Sequence, residues 1–156
     1  MPIKSFRGLI ADGAQQTISL HTNNGAIGYR IKKLEVFPQK PGQESVESTV
    51  LVWTKEQTSV STTAVTVKQT AVDGVVDFSD QTLIGAACFH DSSSESNLNP
   101  LYVVFDNITF NQDIYITHTD TNSAIPINWY IEVEQVKLDL NQNTVATLKD
   151  IRNITA

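Results

Sequence analysis

The sequence predicts an all-β fold, an antiparallel β-sandwich or jelly roll, on three observations. Thr, Val and Ile, residues that favour strands, are abundant along the whole chain of 156 residues. Short segments of alternating apolar and polar residues recur at regular intervals, and clusters of Gly, Pro, Asn and Asp separate them. No segment before Leu140 has the three- to four-residue apolar spacing of a helix. About nine such strands are typical of two packed antiparallel sheets.

The strand positions follow from these alternations. The clearest alternation lies in residues 127–134, within a strand predicted at residues 127–138, and its apolar members are predicted to point into the core: Ile127, Trp129, Ile131 and Val133. Asn24-Gly25 stands between two alternations and is the strongest hairpin signal in the chain. Eight further strands are predicted at residues 16–22, 27–37, 46–55, 61–69, 74–78, 83–90, 101–106 and 113–119.

Length and composition predict a single β-sandwich domain over residues 1–156. With 40% apolar residues, a chain of this size can bury a core without disulfides or metal, and its one cysteine, Cys88, has no partner for a disulfide. After Leu140, apolar residues at Val145, Leu148 and Ile151 return at helical spacing, which predicts a short C-terminal helix. The first residues lack a hydrophobic signal region and no apolar run could span a bilayer, so we expect synthesis and folding in a cytoplasm without membrane binding.

Charge is distributed unevenly along the chain. Residues 1–40 carry a net charge of +4 and residues 41–136 a net charge of −11, within a total of −6. An acidic body without a basic face disfavours nucleic-acid binding. The basic residues of the N-terminal part either lie on a solvated strand or dock on an acidic partner, and on the second interpretation they form the candidate docking site: Lys4, Arg7, Arg30, Lys32 and Lys33.

Catalytic and metal-binding motifs are not found, so the sequence predicts a protein that is not an enzyme and has no cofactor. His118 is expected at the margin of the core, on the face of Ile114 and Ile116. Cys88 is expected to be a buried apolar residue. Three carboxylates, Asp73, Asp77 and Asp80, lack the spacing of a calcium loop and are interpreted as turn residues.

A surface tryptophan would support a different function, that of a carbohydrate-binding module. Trp129 is predicted to be buried, whereas the sequence leaves the exposure of Trp53 open. A polar segment at residues 91–97 is interpreted as a solvent-exposed loop, with a contact loop that orders on docking as the alternative.

Two stretches at the ends of the chain carry a family resemblance. The first begins with residues 4–8 and extends to residues 28–34, and the second begins with residues 128–134 and extends to residues 146–152. They resemble small β-sandwich virion structural proteins of tailed marine bacteriophages. The resemblance implies a capsid decoration (cement) protein, located in the virion, that docks in many copies on the phage head. Its implied partners are the phage major capsid protein or other virion proteins, and a homo-oligomer is implied as well. A tail or neck component is the alternative within the same class.

Overall fold

A computed structural model describes residues 2–20, 26–43, 45–57, 76–91, 100–122, 124–139 and 147–148. All eight strands found in these ranges pair antiparallel. They are β1 Ile3–Ile10, β2 Gln15–Ile18, β3 Ile27–Pro38, β4 Val46–Trp53, β5 Leu83–Asp91, β6 Leu101–Val104, β7 Ile114–Asp120 and β8 Ile127–Lys137. One sheet has three strands in the order β1-β8-β3, and the other has five in the order β2-β7-β4-β5-β6.

The two sheets pack face to face, which confirms the predicted β-sandwich. One apolar cluster contains residues of both sheets, from Ile31 and Ile131 in the three-stranded sheet to Val52 and Ile116 in the five-stranded sheet. The sheets approach closely at Gly85, where an added Cβ would lie 3.2 Å from Ile31 Cδ1. A side chain at this position would therefore require the Ile31 side chain to shift by a few tenths of an ångström. The prediction of one domain over residues 1–156 also covers residues outside the described ranges, so it stays a prediction.

Strand β8 is the centre of the three-stranded sheet and confirms the predicted inward face. Its four apolar residues are at most 6% exposed, and the most exposed of them is Trp129. The Trp129 indole lies against Gly8 of β1, where an added Cβ would be 2.8 Å from Cζ2. The indole Nε1 donates a hydrogen bond of 2.9 Å to Gln16 Oε1 in β2. Trp129 thus joins both β1 and the neighbouring sheet to the core.

Strand β3 contains a β-bulge that reverses its alternation. The pairing with β8 moves from Ile31 opposite Val133 to Lys33 opposite Glu132, which leaves Lys32 as the extra residue. Both lysines are consequently exposed, and the strand returns to inward-facing apolar residues at Leu34.

Strand β1 was not predicted from the sequence, because apolar residues occupy both of its faces. Ile3 and Leu9 are about half exposed on one face, whereas Phe6 and Ile10 contribute to the core on the other. The alternation on which the other predictions rest is therefore absent. Seven of the nine predicted strands correspond to observed strands, with ends that differ by up to four residues.

The strand predicted at residues 74–78 is wrong where the structure describes it, because Phe78 lies in a turn. The Asp77 carboxylate accepts hydrogen bonds from the Ser79 N–H (2.9 Å) and hydroxyl (2.6 Å), and Asp80 does the same for Thr82. These local bonds compete with a sheet ladder and fix the turn. The turn interpretation holds for Asp77 and Asp80, and Asp73 lies outside the described residues.

Several further predictions fall outside the described residues: the strand at 61–69, the Asn24-Gly25 hairpin and nearly all of the loop at 91–97. Of the predicted C-terminal helix, only Thr147 and Leu148 are described, both with helical backbone geometry, so the helix stays a prediction. Within the described ranges, no helix has the length and apolar character required to cross a bilayer.

Candidate docking surface

The outer face of the three-stranded sheet, called the docking face below, carries side chains in cross-strand rows. Directly paired residues of antiparallel strands project on the same side, so the register defines each row. From one end to the other the rows are Ile3-Glu134-Arg30, Ser5-Glu132-Lys33, Arg7-Tyr130-Glu35 and Leu9-Asn128-Phe37. The face is therefore charged over most of its length and apolar at the end formed by Leu9 and Phe37.

Two of the candidate lysines are already paired on this face. Lys33 Nζ lies 3.3 Å from Glu35 Oε1, and Lys32 Nζ lies 3.3 Å from Glu134 Oε2. The hydrogen bond to Glu35, with the charge of that carboxylate, raises the pKa of Lys33 above its ordinary value. A hydrogen bond of 2.7 Å from the Tyr130 hydroxyl to Glu132 Oε1 likewise raises the pKa of Tyr130. The centre of the face is thus a network of alternating charge rather than a basic patch.

The other three candidate cations lie in different surroundings. Arg30 is in the first row, and its Nε donates a hydrogen bond of 3.0 Å to Thr109 Oγ1. Lys4 projects from the opposite side of β1, with Nζ 5.7 Å from the centre of the Tyr29 ring. Arg7 is exposed and has no ion-pair partner among the described residues. The structure therefore groups Arg7, Arg30, Lys32 and Lys33 on the docking face and separates Lys4 from them.

The apolar end of the docking face forms an open trough of about 800 Å³. Phe37 is 63% exposed and Leu9 is 43% exposed, and they stand on either side of Asn128. Tyr102 of β6 adds a further ring, held by a hydrogen bond of 3.2 Å from its hydroxyl to the Val36 carbonyl. Arg7 and Glu35 lie at the charged end of the trough. Exposed apolar side chains surrounded by charged groups are typical of an interaction surface.

The sequence signal for this surface was weak. Phe37 lies within a predicted strand, but only the register of β3 and β8, set by the bulge, places it beside Asn128 and across from Leu9. Leu9 belongs to the strand that was not predicted, and Tyr102 belongs to the other sheet. No short motif in the sequence joins these residues.

Trp53 is fully buried and unavailable for a surface ligand. It lies in a second apolar cluster with Leu51 and Leu83, apart from the main core, so both faces of β4 carry buried residues. Its indole Nε1 donates a hydrogen bond of 2.9 Å to Thr117 Oγ1. A carbohydrate-binding module that uses Trp53 is therefore inconsistent with the structure.

The prediction that Cys88 is buried is wrong, because the residue is exposed on β5. Cys88 pairs with Leu101, which is 67% exposed on the edge strand β6. The inward positions of this part of β5 are instead occupied by Ala87 and Phe89. Residues 83–89 are all apolar or small, so the sequence shows no apolar–polar alternation there that would indicate which side chains face the core.

His118 is more deeply buried than predicted, with no exposed surface. Its Nε2 lies 3.1 Å from Ser48 Oγ, and no described residue forms a hydrogen bond of good geometry with its Nδ1. Burial lowers the pKa of His118 below its ordinary value, although the nearby backbone of Ala11 and the carboxylates of Asp12 and Asp120 act in the opposite direction. The described residues contain no cluster of three or more His, Cys, Asp or Glu side chains able to hold a metal ion.

Comparison of this chain with protein-family models, with curated proteins and with solved structures found no match. The all-β sandwich is thus established by the structure, and the resemblance to virion proteins stays a hypothesis.

Proposed function

We propose that this protein is a non-enzymatic structural protein that binds a protein partner through the docking face. In agreement with the sequence resemblance, the proposed setting is the virion of a tailed phage. There the protein would decorate the head by binding the major capsid protein in many copies. The observation that carries the proposal is the exposed apolar end of the docking face, where Leu9 and Phe37 line a trough with Tyr102 of the other sheet. Arg7 and Glu35 lie at the charged end of this trough.

The docking face has the arrangement of a protein–protein interface, with an apolar part and a charged rim. Burial of the apolar end would supply most of the binding free energy, because exposed apolar area is favourable to remove from water. The charged rows would form the rim, where complementary charge affects the rate of association and the register. Arg7 is the foremost candidate for an acidic partner, whereas Lys32 and Lys33 would have to share their existing partners, Glu134 and Glu35.

The test is binding to shells assembled from the major capsid protein of a tailed phage that carries this chain. We expect Phe37→Ser to weaken binding by about tenfold or more, since it removes the most exposed ring of the face. Leu101→Ser is the matched control, because Leu101 is similarly exposed but belongs to the other sheet. Co-sedimentation with shells measures the binding of wild type and of each purified variant. Equal loss in the two variants, or binding by neither variant nor wild type, would contradict the proposal.

The basic residues are tested by the double change Lys32→Glu and Lys33→Glu, measured at two salt concentrations. If the pair lies at the rim, association should slow more than dissociation accelerates. Equal shell occupancy for mutant and wild type at both salt concentrations would remove these lysines from the mechanism.

Carbohydrate binding is the second candidate function, and the trough is the observation that favours it. Phe37 and Tyr102 could stack on a sugar ring, while Arg7, Glu35 and Asn128 could form hydrogen bonds to its hydroxyls. A glycan array with wild type and Phe37→Ala tests this function. Saturable binding that the variant loses would favour the carbohydrate module over the structural protein.

A further inference from the structure

Strand β1 has one edge paired with β8, and no strand in the part of the chain that the structure describes pairs with its other edge. The Gln135 N–H donates to the Pro2 carbonyl at 2.9 Å, and in an antiparallel ladder the backbone groups of alternate residues point to the same neighbour. Even-numbered residues of β1 therefore bond to β8, and odd-numbered residues direct their N–H and C=O groups away from the sheet. This outward set comprises Ile3, Ser5, Arg7 and Leu9.

Most of this outward set lacks a partner. The Leu9 carbonyl accepts a hydrogen bond of 2.6 Å from Gln16 Nε2. Among the described residues, no partner faces the outward backbone groups of Ile3, Ser5 and Arg7. β1 thus has three alternate residues whose backbone groups could pair with another strand. The bond from Gln16 to the Leu9 carbonyl limits this available part of the edge.

The opposite edge of the same sheet is partly closed. Tyr29 of β3 exchanges backbone hydrogen bonds of 2.7 and 3.0 Å with Phe110. Further along, the Val36 carbonyl accepts the Tyr102 hydroxyl. An open edge presents N–H and C=O groups to any extended chain, and natural sheets usually protect such edges. Another strand could therefore pair with this sheet at the β1 edge more readily than at the β3 edge.

The charge of β1 indicates what kind of strand fits. The strand carries Lys4 and Arg7 and no carboxylate. Two copies paired antiparallel about Ser5 would place Arg7 opposite Ile3 and Lys4 opposite Phe6, so the second copy would add two more cations and no carboxylate at this edge. A register centred on Arg7 would place the two Arg7 side chains directly opposite each other. This dimer would be less stable, because like charges directly opposite are destabilising. A carboxylate opposite Arg7 would instead form a cross-strand ion pair.

We propose that the open edge of β1 binds an extended acidic segment of a partner protein, which becomes a fourth strand of this sheet. The inference rests on the proposed docking function in assigning the segment to a protein partner. On the docking face, the segment would place an apolar residue beside Ile3, a small polar residue beside Ser5, a carboxylate beside Arg7 and an apolar residue beside Leu9. Backbone hydrogen bonds would supply affinity, and the carboxylate would select the partner and its register.

The probe is the acetylated and amidated peptide Val-Thr-Glu-Thr-Ser-Thr-Val, which has this pattern in the antiparallel direction. The control peptide carries Lys in place of Glu. Both are titrated into the full chain while backbone amide shifts are followed by NMR. We expect the acidic peptide to shift the amides of β1 and to bind at least about tenfold more tightly than the control.

Two variants separate strand addition from simple charge attraction. Ser5→Pro removes an outward N–H without removing a bond to β8, so the sheet should stay folded while peptide binding falls about tenfold or more. Ser5→Ala keeps that N–H and should bind like wild type. If Ser5→Pro fails to fold, Arg7→Glu provides the test, because it should reverse the preference between the two peptides.

Three results would overturn the inference. The first is equal binding of the acidic peptide to wild type and to folded Ser5→Pro. The second is an unchanged peptide preference in Arg7→Glu. The third is a concentration-dependent dimer in sedimentation that Ser5→Pro abolishes, which would make a second copy the occupant. The Phe37→Ser shell experiment does not depend on the peptide result, so the edge and the docking face can fail separately.

Discussion

The two faces of the three-stranded sheet are held in different ways, although the same three strands form them. The inner face consists of apolar side chains such as Ile31, Trp129 and Ile131, packed against the other sheet. The outer face consists mostly of polar rows with ion pairs, and its apolar residues Ile3, Leu9 and Phe37 remain exposed. Stability therefore depends mainly on the inner face, and the outer face is available for binding.

The largest effect that we expect comes from the inner face, with Trp129→Ala. The indole is nearly buried and contacts both β1 and β2, so its removal should cost about 3–5 kcal/mol of unfolding free energy. Chemical denaturation of wild type and variant measures it. A cost below about 1 kcal/mol would place the ring outside the core and contradict the register of β8.

The contact between β1 and β8 is tested by Gly8→Ala. The new Cβ would lie 2.8 Å from Trp129 Cζ2, so the indole must move, and we expect a loss of about 1–3 kcal/mol. Ser5→Ala is the control, because Ser5 is exposed and lies on the outer face of the same strand. If both substitutions leave the denaturation midpoint unchanged, β1 is not packed as described.

The buried His118 should make stability depend on pH. Because burial lowers its folded pKa below the ordinary value of 6.5, the unfolded chain binds a proton more readily. Stability should therefore fall as the pH decreases below about 6.5, with a slope of up to about 1.4 kcal/mol per pH unit from this group.

His118→Gln removes the titration and keeps a polar group near Ser48 Oγ. Denaturation of both proteins between about pH 5 and pH 7.5 isolates the histidine, because the carboxylates titrate alike in each. The advantage of wild type over the variant should shrink toward the acidic end. A constant difference across this range would show that His118 titrates normally in the folded protein.

The smallest effect should come from the outer face, with Lys33→Gln. The Lys33–Glu35 pair is exposed, and solvent-exposed ion pairs contribute little to stability. We expect the melting temperature to stay within about 2 °C of wild type. A large decrease would show that the charged rows of the docking face are structural and would weaken the distinction between the two faces.

The side-chain directions that the sequence predicted correctly lie in a strand with one buried and one partly exposed face. β8 alternates between buried and partly exposed residues from Ile127 to Val133, so its inward residues could be predicted from alternation alone. β1 has apolar residues on both faces and was missed, and Cys88 was misplaced within an apolar run. In both cases the sequence shows apolar character without showing the direction of the side chain.

The docking face could not be derived from sequence for a related reason. Its basic residues were identified, but their neighbours depend on register: the bulge at Lys32 fixes which carboxylate each lysine meets, and the pairing of β1 with β8 separates Lys4 from Arg7. The net positive charge of residues 1–40 therefore does not become a basic patch in the folded protein. Carboxylates from residues 132 and 134, distant in the chain, balance it.

The sequence by itself determined the all-β class, most of the strands and the inward residues of β8, because these depend on local alternation and on turn chemistry between neighbouring residues. Only the tertiary structure decided that Trp53 is buried, that Phe37 and Leu9 line an exposed trough, and that β1 lies at an edge whose outward backbone groups mostly have no partner among the described residues. Burial, register and edge position are properties of strand pairs and packed layers, which join residues far apart in the chain.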